Sequence, residues 1–342
     1  LPPESLKFIT TFIYLPISAD FKISKPLLKK VNRDPYTYLF LVSVMEKRMG
    51  QRLQSYLEHN KIDKNKVILA TSDCDKHMQV VDGIKHIYIE FWESYSRYCM
   101  KLREDFGFTS FDDRIQSINT ASKKFISLNR NPKHHRIWWY YSIVRNNMLS
   151  EGHVSYNLPD TDMKVLNMMI DHPLTTTRIP SYEIENYFGQ RTLLTKNKSL
   201  DKLNNNWIIN FQNSINPFYR DSLVSLITES DATHTFVTEK TYKAIAHHQP
   251  FFIIGHEGHH EQLRKKGYHT FEDLFGIEKV FNYDTASQLL QKLKATDLDE
   301  LKKLCMRKYR NKVKENFELF MSRKISWLDI VRDLERCVDG KI

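Results

Sequence analysis

The sequence predicts an α/β protein built on parallel sheets. Short β-branched and aromatic runs alternate with amphipathic stretches in both halves of the chain, the pattern of strand–helix–strand units. Some runs, such as Val67-Ile68-Leu69-Ala70-Thr71, are almost wholly apolar, as strands covered on both faces are. At 342 residues the chain has room for about two domains of roughly 150 residues each.

The elements follow in order. Residues 6–15 read as a strand, and 36–44 as a strand or the start of a helix. Residues 45–60 read as a helix, because Met49, Leu53 and Leu57 recur at four-residue spacing with charges between them. Strands are expected at 67–71 and 86–91, then a helix over 94–106 that Gly107 stops. The polar stretch 109–122 reads as the boundary between the halves. Beyond it come a strand at 124–128, a helix at 135–149 and a strand at 153–156. The Asn-rich region 161–207 has no legible pattern. A strand at 222–228, a helix at 239–247, a strand at 250–255 and a helix over 257–266 stopped by Gly267 make the second alternation. Helices at 285–293 and 297–320 follow. The implied layout is a first domain over 1–120, a second over 121–320, and a terminal helix over 321–342 packing back on the first.

Composition excludes some classes. Hydrophobic residues make up 41% and aromatics 12% of the chain, too much apolar content for a disordered protein. No apolar run of about 18 residues is present, so no membrane span is expected. The first residues lack a basic stretch followed by an apolar one, so a cytoplasmic location is expected rather than secretion. Cys74, Cys99, Cys305 and Cys337 are far apart and read as reduced thiols, not as a disulfide framework or a cysteine zinc site. The net charge of +10 implies an anionic partner: nucleotide phosphates, nucleic acid or an acidic surface.

In parallel sheets ligands bind beyond the carboxyl ends of the strands. The richest such segment is Ser225-Leu226-Ile227-Thr228-Glu229-Ser230 with Thr238-Glu239-Lys240-Thr241-Tyr242 just after it. A strand is expected to end at Thr228 and a helix to open near Thr238, with Thr238 as its cap. Lys240 in the first turn opposes the helix dipole. A bound diphosphate at the helix N-terminus would explain it, and Glu239 is placed to accept ribose hydroxyls. The same residues also fit a plain helix start with a solvated lysine.

Phe236-Val237-Thr238-Glu239-Lys240-Thr241-Tyr242-Lys243-Ala244-Ile245, followed by Pro250-Phe251-Phe252-Ile253-Ile254-Gly255, resembles the donor-binding domain of fucosyltransferase-like glycosyltransferases. Those enzymes carry an (F/Y)-(V/I)-T-E-K segment after a strand ending in Glu-Asn or Glu-Ser, and Glu229-Ser230 fits that place. Leu263-Arg264-Lys265-Lys266-Gly267-Tyr268-His269-Thr270-Phe271 is similar to the L-R-x-x-G-F-x-T-F of related viral and bacterial proteins. Upstream, Lys124-Phe125-Ile126-Ser127-Leu128-Asn129-Arg130-Asn131-Pro132 and then Arg136 resemble the family's strand, its S/N-N-P loop and its downstream arginine. The first half carries no such likeness.

The resemblance implies a GT-B fold, two Rossmann-like domains facing a cleft. It implies transfer of a sugar from a nucleotide-sugar donor, UDP- or GDP-linked, to an acceptor hydroxyl, with inversion and without a metal. No tightly bound cofactor is expected. By the same resemblance Arg136 and Lys240 contact the donor diphosphate and Glu239 the ribose. Glu229, Ser230, Thr238 and Tyr242 shape the donor pocket, and Asn129 and Arg130 line it. Guanidinium forks suit phosphate oxygens, and preorganised cations stabilise a departing diphosphate. The general base is expected from strand ends of the first domain, Asp73 first and Glu90 next. The expected acceptor is a glycan or a nucleic acid, such as hydroxymethylated bases in DNA, in a virus- or bacterium-encoded setting.

Other features point elsewhere. The basic stretch 302–314 and the run Trp138-Trp139-Tyr140-Tyr141 fit a non-catalytic nucleic-acid-binding protein, though a solvated helix face and core packing explain them equally. Asp73-Cys74-Asp75 spells D-x-D, and His256-Glu257-Gly258-His259-His260 matches H-E-x-x-H. The first is short enough to arise by chance. The second begins at a strand end and contains a glycine, so neither is taken as a metal site.

Overall fold

The computed structural model describes residues 11–15, 25–33, 39–43, 49–71, 83–88, 92–94, 96–97, 110–129, 133–155, 216–230, 232, 235–278 and 283–323. The chain divides into two compact units, residues 1–94 with 324–342 and residues 95–323.

The first unit holds a parallel sheet in the order β1 (Thr11–Leu15), β2 (Leu39–Ser43), β3 (Val67–Thr71), β4 (Lys85–Tyr88). Thr11 pairs with Leu39, Leu39 with Val67, and Ile68 with Lys85. Helices α1 (Lys25–Arg33) and α2 (Met49–His59) accompany it among the described residues. Leu53 and Leu57 of α2 bury with Val31, Leu39, Ile62, Val67 and Leu69, so the four-residue spacing was a core stripe. Helix α1 was not anticipated. It is rich in lysine, and of its described side chains only Val31 is buried.

The second unit runs α3 (Phe111–Thr120), β5 (Lys123–Leu128), α4 (His134–Arg145), β6 (Gly152–Ser155), α5 (Asn216–Arg220), β7 (Ser222–Thr228), α6 (Glu239–Ala246), β8 (Phe251–Ile254), α7 (Gly258–Lys265), α8 (Glu272–Phe275), α9 (Tyr283–Ala295), α10 (Leu298–Arg307) and α11 (Arg310–Ser322). Its sheet is parallel throughout, in the order β6-β5-β7-β8. All seven residues of β7 are buried, as a central strand covered on both faces requires. The core joins Phe125, Leu223, Val224 and Phe252 from the sheet to Trp138, Trp139 and Tyr141 of α4 and Leu289, Leu290 and Leu293 of α9. Gly152 lies against the Phe125 ring, where a methyl group would collide.

Both sheets are Rossmann-like, and they differ in one respect that matters. In the first, described strands follow one another in chain order. In the second, the chain leaves β5 for β6 on one side and returns past β5 to β7 on the other. The crevice at the carboxyl ends of β5 and β7 is therefore the topological switch point, where ligands of such sheets bind.

Two expectations need correction. The polar stretch 109–122 is not a bare connection but carries α3, with Ser110 capping through its hydroxyl, which accepts from the Asp113 amide at 3.1 Å. Its inward face carries Arg114 and Ile118, and a buried arginine hides an amphipathic pattern. The stretch 297–320 is two helices, because the chain turns at Lys308–Tyr309 to set the Tyr309 ring into the core edge-on to Phe271. Gly267 ends α7 as expected, in the left-handed conformation at φ +88°. Among the described residues no helix is long and apolar enough to cross a membrane.

Candidate functional site

The switch-point crevice has a buried polar floor. Asn129 follows β5; its amide donates to the Ser155 carbonyl at 3.1 Å and to the Ser155 hydroxyl at 3.2 Å. Its side-chain oxygen accepts from the Thr228 hydroxyl, and its Nδ2 donates to Ser127 Oγ at 3.4 Å. That same hydroxyl accepts from the Trp139 indole at 3.0 Å. The ends of β5 and β6 are thus joined by a backbone bond, and side chains tie in β7.

Glu229 sits at the end of β7 with no exposed surface. Its Oε1 accepts from the Thr238 amide at 3.1 Å and the Thr241 hydroxyl at 2.6 Å. Its Oε2 accepts from the Thr238 hydroxyl at 2.5 Å and the Ser230 amide at 3.3 Å. Four donors are what a buried carboxylate needs in place of water. Its backbone carbonyl accepts from His135 Nε2 at 2.8 Å and Arg136 Nη2 at 3.1 Å.

This arrangement gives two of the expected site residues internal partners. Thr238 occupies the N-cap position of α6 but makes no side-chain cap bond, because Glu229 takes its hydroxyl. Just before α6, Glu229 takes both the amide and the hydroxyl of Thr238. Arg136 is buried at 3% exposure and grips the Glu229 carbonyl from below.

Above the floor the site opens. Ser230, Glu239 and Lys240 are partly exposed. The Lys240 ammonium donates to Ser230 Oγ at 2.9 Å, Thr238 Oγ1 at 3.1 Å and Glu239 Oε1 at 3.0 Å. Lys133 reaches in from the start of α4 and donates to the Ser230 carbonyl at 2.6 Å. Burial pushes the Glu239 carboxyl up, but Lys240 and Lys243 outweigh it and hold its pKa below the usual glutamate value. Glu239 is thus a carboxylate at neutral pH, suited to accept from hydroxyls.

The structure gathers Asn129, Arg136, Glu229, Ser230, Thr238, Glu239 and Lys240 at this crevice. It does not bring Tyr242 there. That ring is stacked on Phe320 at 5.6 Å, lies edge-on to Tyr268, and its hydroxyl meets Lys266 at 3.3 Å, so the core between α6 and α11 claims it. Asp73, Glu90 and Arg130 lie outside the described residues. Glu93, another acid near β4, is described and buried. Ser127, Lys133, His135, Ser155, Thr228 and Thr241 were missed by sequence reasoning. Lys133 and Thr241 stood within or beside the quoted motifs, but nothing in their spacing marks them as partners of Ser230 and Glu229.

The other motifs resolve into packing. Trp138, Trp139, Tyr140 and Tyr141 are all buried. In the basic stretch, Lys302 meets Asp299 at 3.6 Å, Lys308 and Lys312 meet Asp273 at 3.1 and 3.6 Å, and Lys314 meets Glu318 at 3.7 Å. His256 precedes α7, and His260 Nε2 accepts from the Ile253 amide at 3.0 Å, which spends the lone pair a metal would need. No cluster of metal-binding side chains is found among the described residues. A separate open groove of about 600 Å³ is lined by Arg264, Tyr268, His269, Glu272, Asp273 and Lys312, among others. It contains none of the crevice residues, and its charges pair with one another, Arg264 with Glu272 and Lys312 with Asp273.

Comparisons with protein-family models, with curated proteins and with solved structures find no match for this chain.

Proposed function

We propose that this chain is a nucleotide-sugar-dependent glycosyltransferase of the GT-B type, with its second unit binding the donor. The observation that supports it most is the pairing of Glu239 and Lys240 at the switch point. The two are partly exposed side by side over a floor that is otherwise buried and hydrogen-bonded. A nucleoside diphosphate offers the matching chemistry. Its phosphate oxygens accept from the Lys240 ammonium, exchanging places with the Ser230 or Thr238 hydroxyl, and its ribose hydroxyls donate to Glu239. Arg136 acts beneath, fixing the strand end through the Glu229 carbonyl and adding positive charge under the site.

In the proposed reaction the acceptor hydroxyl attacks the anomeric carbon, the bond to the diphosphate breaks, and a first-unit carboxylate, Asp73 or Glu90, takes the proton. Negative charge grows on the leaving diphosphate, where Lys240 and Lys133 lie close enough to stabilise it. A nucleic-acid acceptor predicts activity that falls steeply with added salt; a glycan acceptor predicts little salt dependence. The non-catalytic nucleic-acid-binding reading draws less support, because its aromatic run is buried and its lysines are largely ion-paired.

The test is a thermal-shift screen of the wild type and Lys240→Ala against nucleoside diphosphates and nucleotide sugars. A ligand at about 100 times its Kd stabilises a fold by roughly 2.7 kcal/mol. The expected result is a shift with one base, abolished in the variant. No shift with any nucleotide overturns the proposal.

A further inference from the structure

The histidine-rich segment after β8 is not absorbed by the donor site, yet it touches the segment that carries it. His259 is buried at 1% exposure. Its Nε2 accepts from the Phe236 amide at 3.1 Å, and its Nδ1 is 2.8 Å from the His256 carbonyl. Only one tautomer serves both bonds: the proton sits on Nδ1 and is donated to His256. Burial keeps the ring neutral by lowering its pKa, against the opposing pull of the Glu229 carboxylate.

Two neighbours complete the contact. His256 Nδ1 is 3.0 Å from Thr235 Oγ1 and accepts from the Gly258 amide at 3.1 Å. Gly258 lies so close to Thr235 that a methyl group there would collide with its hydroxyl. The connection into α6 is therefore held at three successive points: Thr235 by His256, Phe236 by His259, and Thr238 by Glu229. The next two residues are Glu239 and Lys240.

We propose that His259 is a positioning residue: through the Phe236 amide it fixes the segment that presents Glu239 and Lys240. The functional half of this proposal rests on the donor-site reading; the structural half stands without it.

Two amide variants separate the two nitrogens. His259→Gln keeps an acceptor near the place of Nε2, while His259→Asn keeps a donor near Nδ1 and cannot reach Phe236. Peptide-resolved hydrogen exchange on the full chain reads the segment directly. The Asn variant is expected to speed exchange over residues 235–240 on the order of tenfold or more, the scale of one lost buried hydrogen bond. Exchange in β5 and β7 is expected to stay at the wild-type rate, and affinity for the nucleoside diphosphate found in the screen to fall by a similar factor. The Gln variant is expected to recover both. Unchanged exchange over 235–240 in the Asn variant, equal acceleration in β5 and β7, or a Gln variant as fast as Asn would each overturn the proposal. If His259→Asn does not fold, His259→Gln alone decides: wild-type exchange over 235–240 in a variant that keeps an acceptor at Nε2 is expected, and faster exchange there overturns the proposal. A wild type that binds no nucleoside diphosphate removes the donor reading, while the exchange result still decides the anchor.

Discussion

The two ends of the second sheet each hold a buried polar cluster, and only one of them opens. At the amino end Arg114 donates to the carbonyls of Tyr219 and Leu223 at 3.1 and 3.0 Å. Gln249 donates to the carbonyls of Tyr219 and Ser222 at 2.7 and 2.9 Å and accepts from Ser225. His247 stacks on Tyr219 at 4.1 Å. All of these side chains are buried. At the carboxyl end an equally dense cluster around Asn129 and Glu229 finishes in Ser230, Glu239 and Lys240, which reach solvent. Buried polarity alone therefore does not mark a site. The amino-end cluster ties α3, α5 and the start of β8 to the sheet, while the carboxyl-end cluster holds an ammonium and a carboxylate where a ligand can reach them.

Acid should have the largest effect, through two buried histidines: His247 at the closed end and His260 on α7, against the Ile253 amide of β8. Burial pushes the pKa of His247 down to about 3 and that of His260 down to about 4. Both lie below the ordinary value of 6.5, so below that pH the unfolded chain takes up protons that the folded chain refuses. Stability present above pH 6.5 is expected to fall as pH drops toward 4, by about 1.4 kcal/mol per pH unit for each histidine. Urea midpoints measured from pH 7 to 4 check this; a flat profile would contradict it.

Arg114→Ala should come next. It removes a cation whose pKa burial has pushed down to about 10, strips the Arg114 donor from the buried Leu223 carbonyl and leaves the Tyr219 carbonyl with Gln249. A loss of about 3 kcal/mol is expected, read from urea unfolding, with nucleotide affinity in the surviving folded fraction unchanged. Loss of affinity as well would mean the two ends are coupled.

Glu229→Ala sharpens the contrast, because it strands the Thr238 and Ser230 amides and two hydroxyls at the open end. About 2 kcal/mol of stability should go, together with nucleotide binding, since Lys240 loses the Thr238 geometry. Lys240→Ala should have the smallest effect on stability. Lys240 itself and its partners Glu239 and Ser230 are partly solvated, so the cost should stay below about 1 kcal/mol while ligand-induced stabilisation disappears. A variant that loses more than that would place Lys240 among the structural groups.

Local chemistry made much of this legible. Strands β3 and β7 were read at their observed bounds, because continuous apolar runs bounded by polar residues leave little choice. Leu53 and Leu57 announced the core face of α2 by spacing, and Gly267 the end of α7. Glu229, Thr238, Glu239 and Lys240 were singled out because they follow a buried strand and open a helix. Three misreadings share one cause. Arg114 made α3 look like a polar connection, Tyr309 broke what looked like one continuous helix, and Tyr242 followed its motif neighbours into the site list. In each case the deciding contact lies far away in sequence: the carbonyls of Tyr219 and Leu223, the ring of Phe271, the ring of Phe320.

The sequence by itself determined the α/β class, the order of most strands and helices, and the segment that opens at the switch-point crevice. Those follow from periodicity and from backbone preferences that act over a few residues. Tertiary structure alone decided that the second sheet reverses its strand order beside β5. It also decided that Glu229 takes the amide and hydroxyl of Thr238 ahead of α6, and that His259 spends its ring on Phe236. Each of these depends on which long-range partner satisfies a buried polar group, a choice that residue type permits in many ways and packing permits in one.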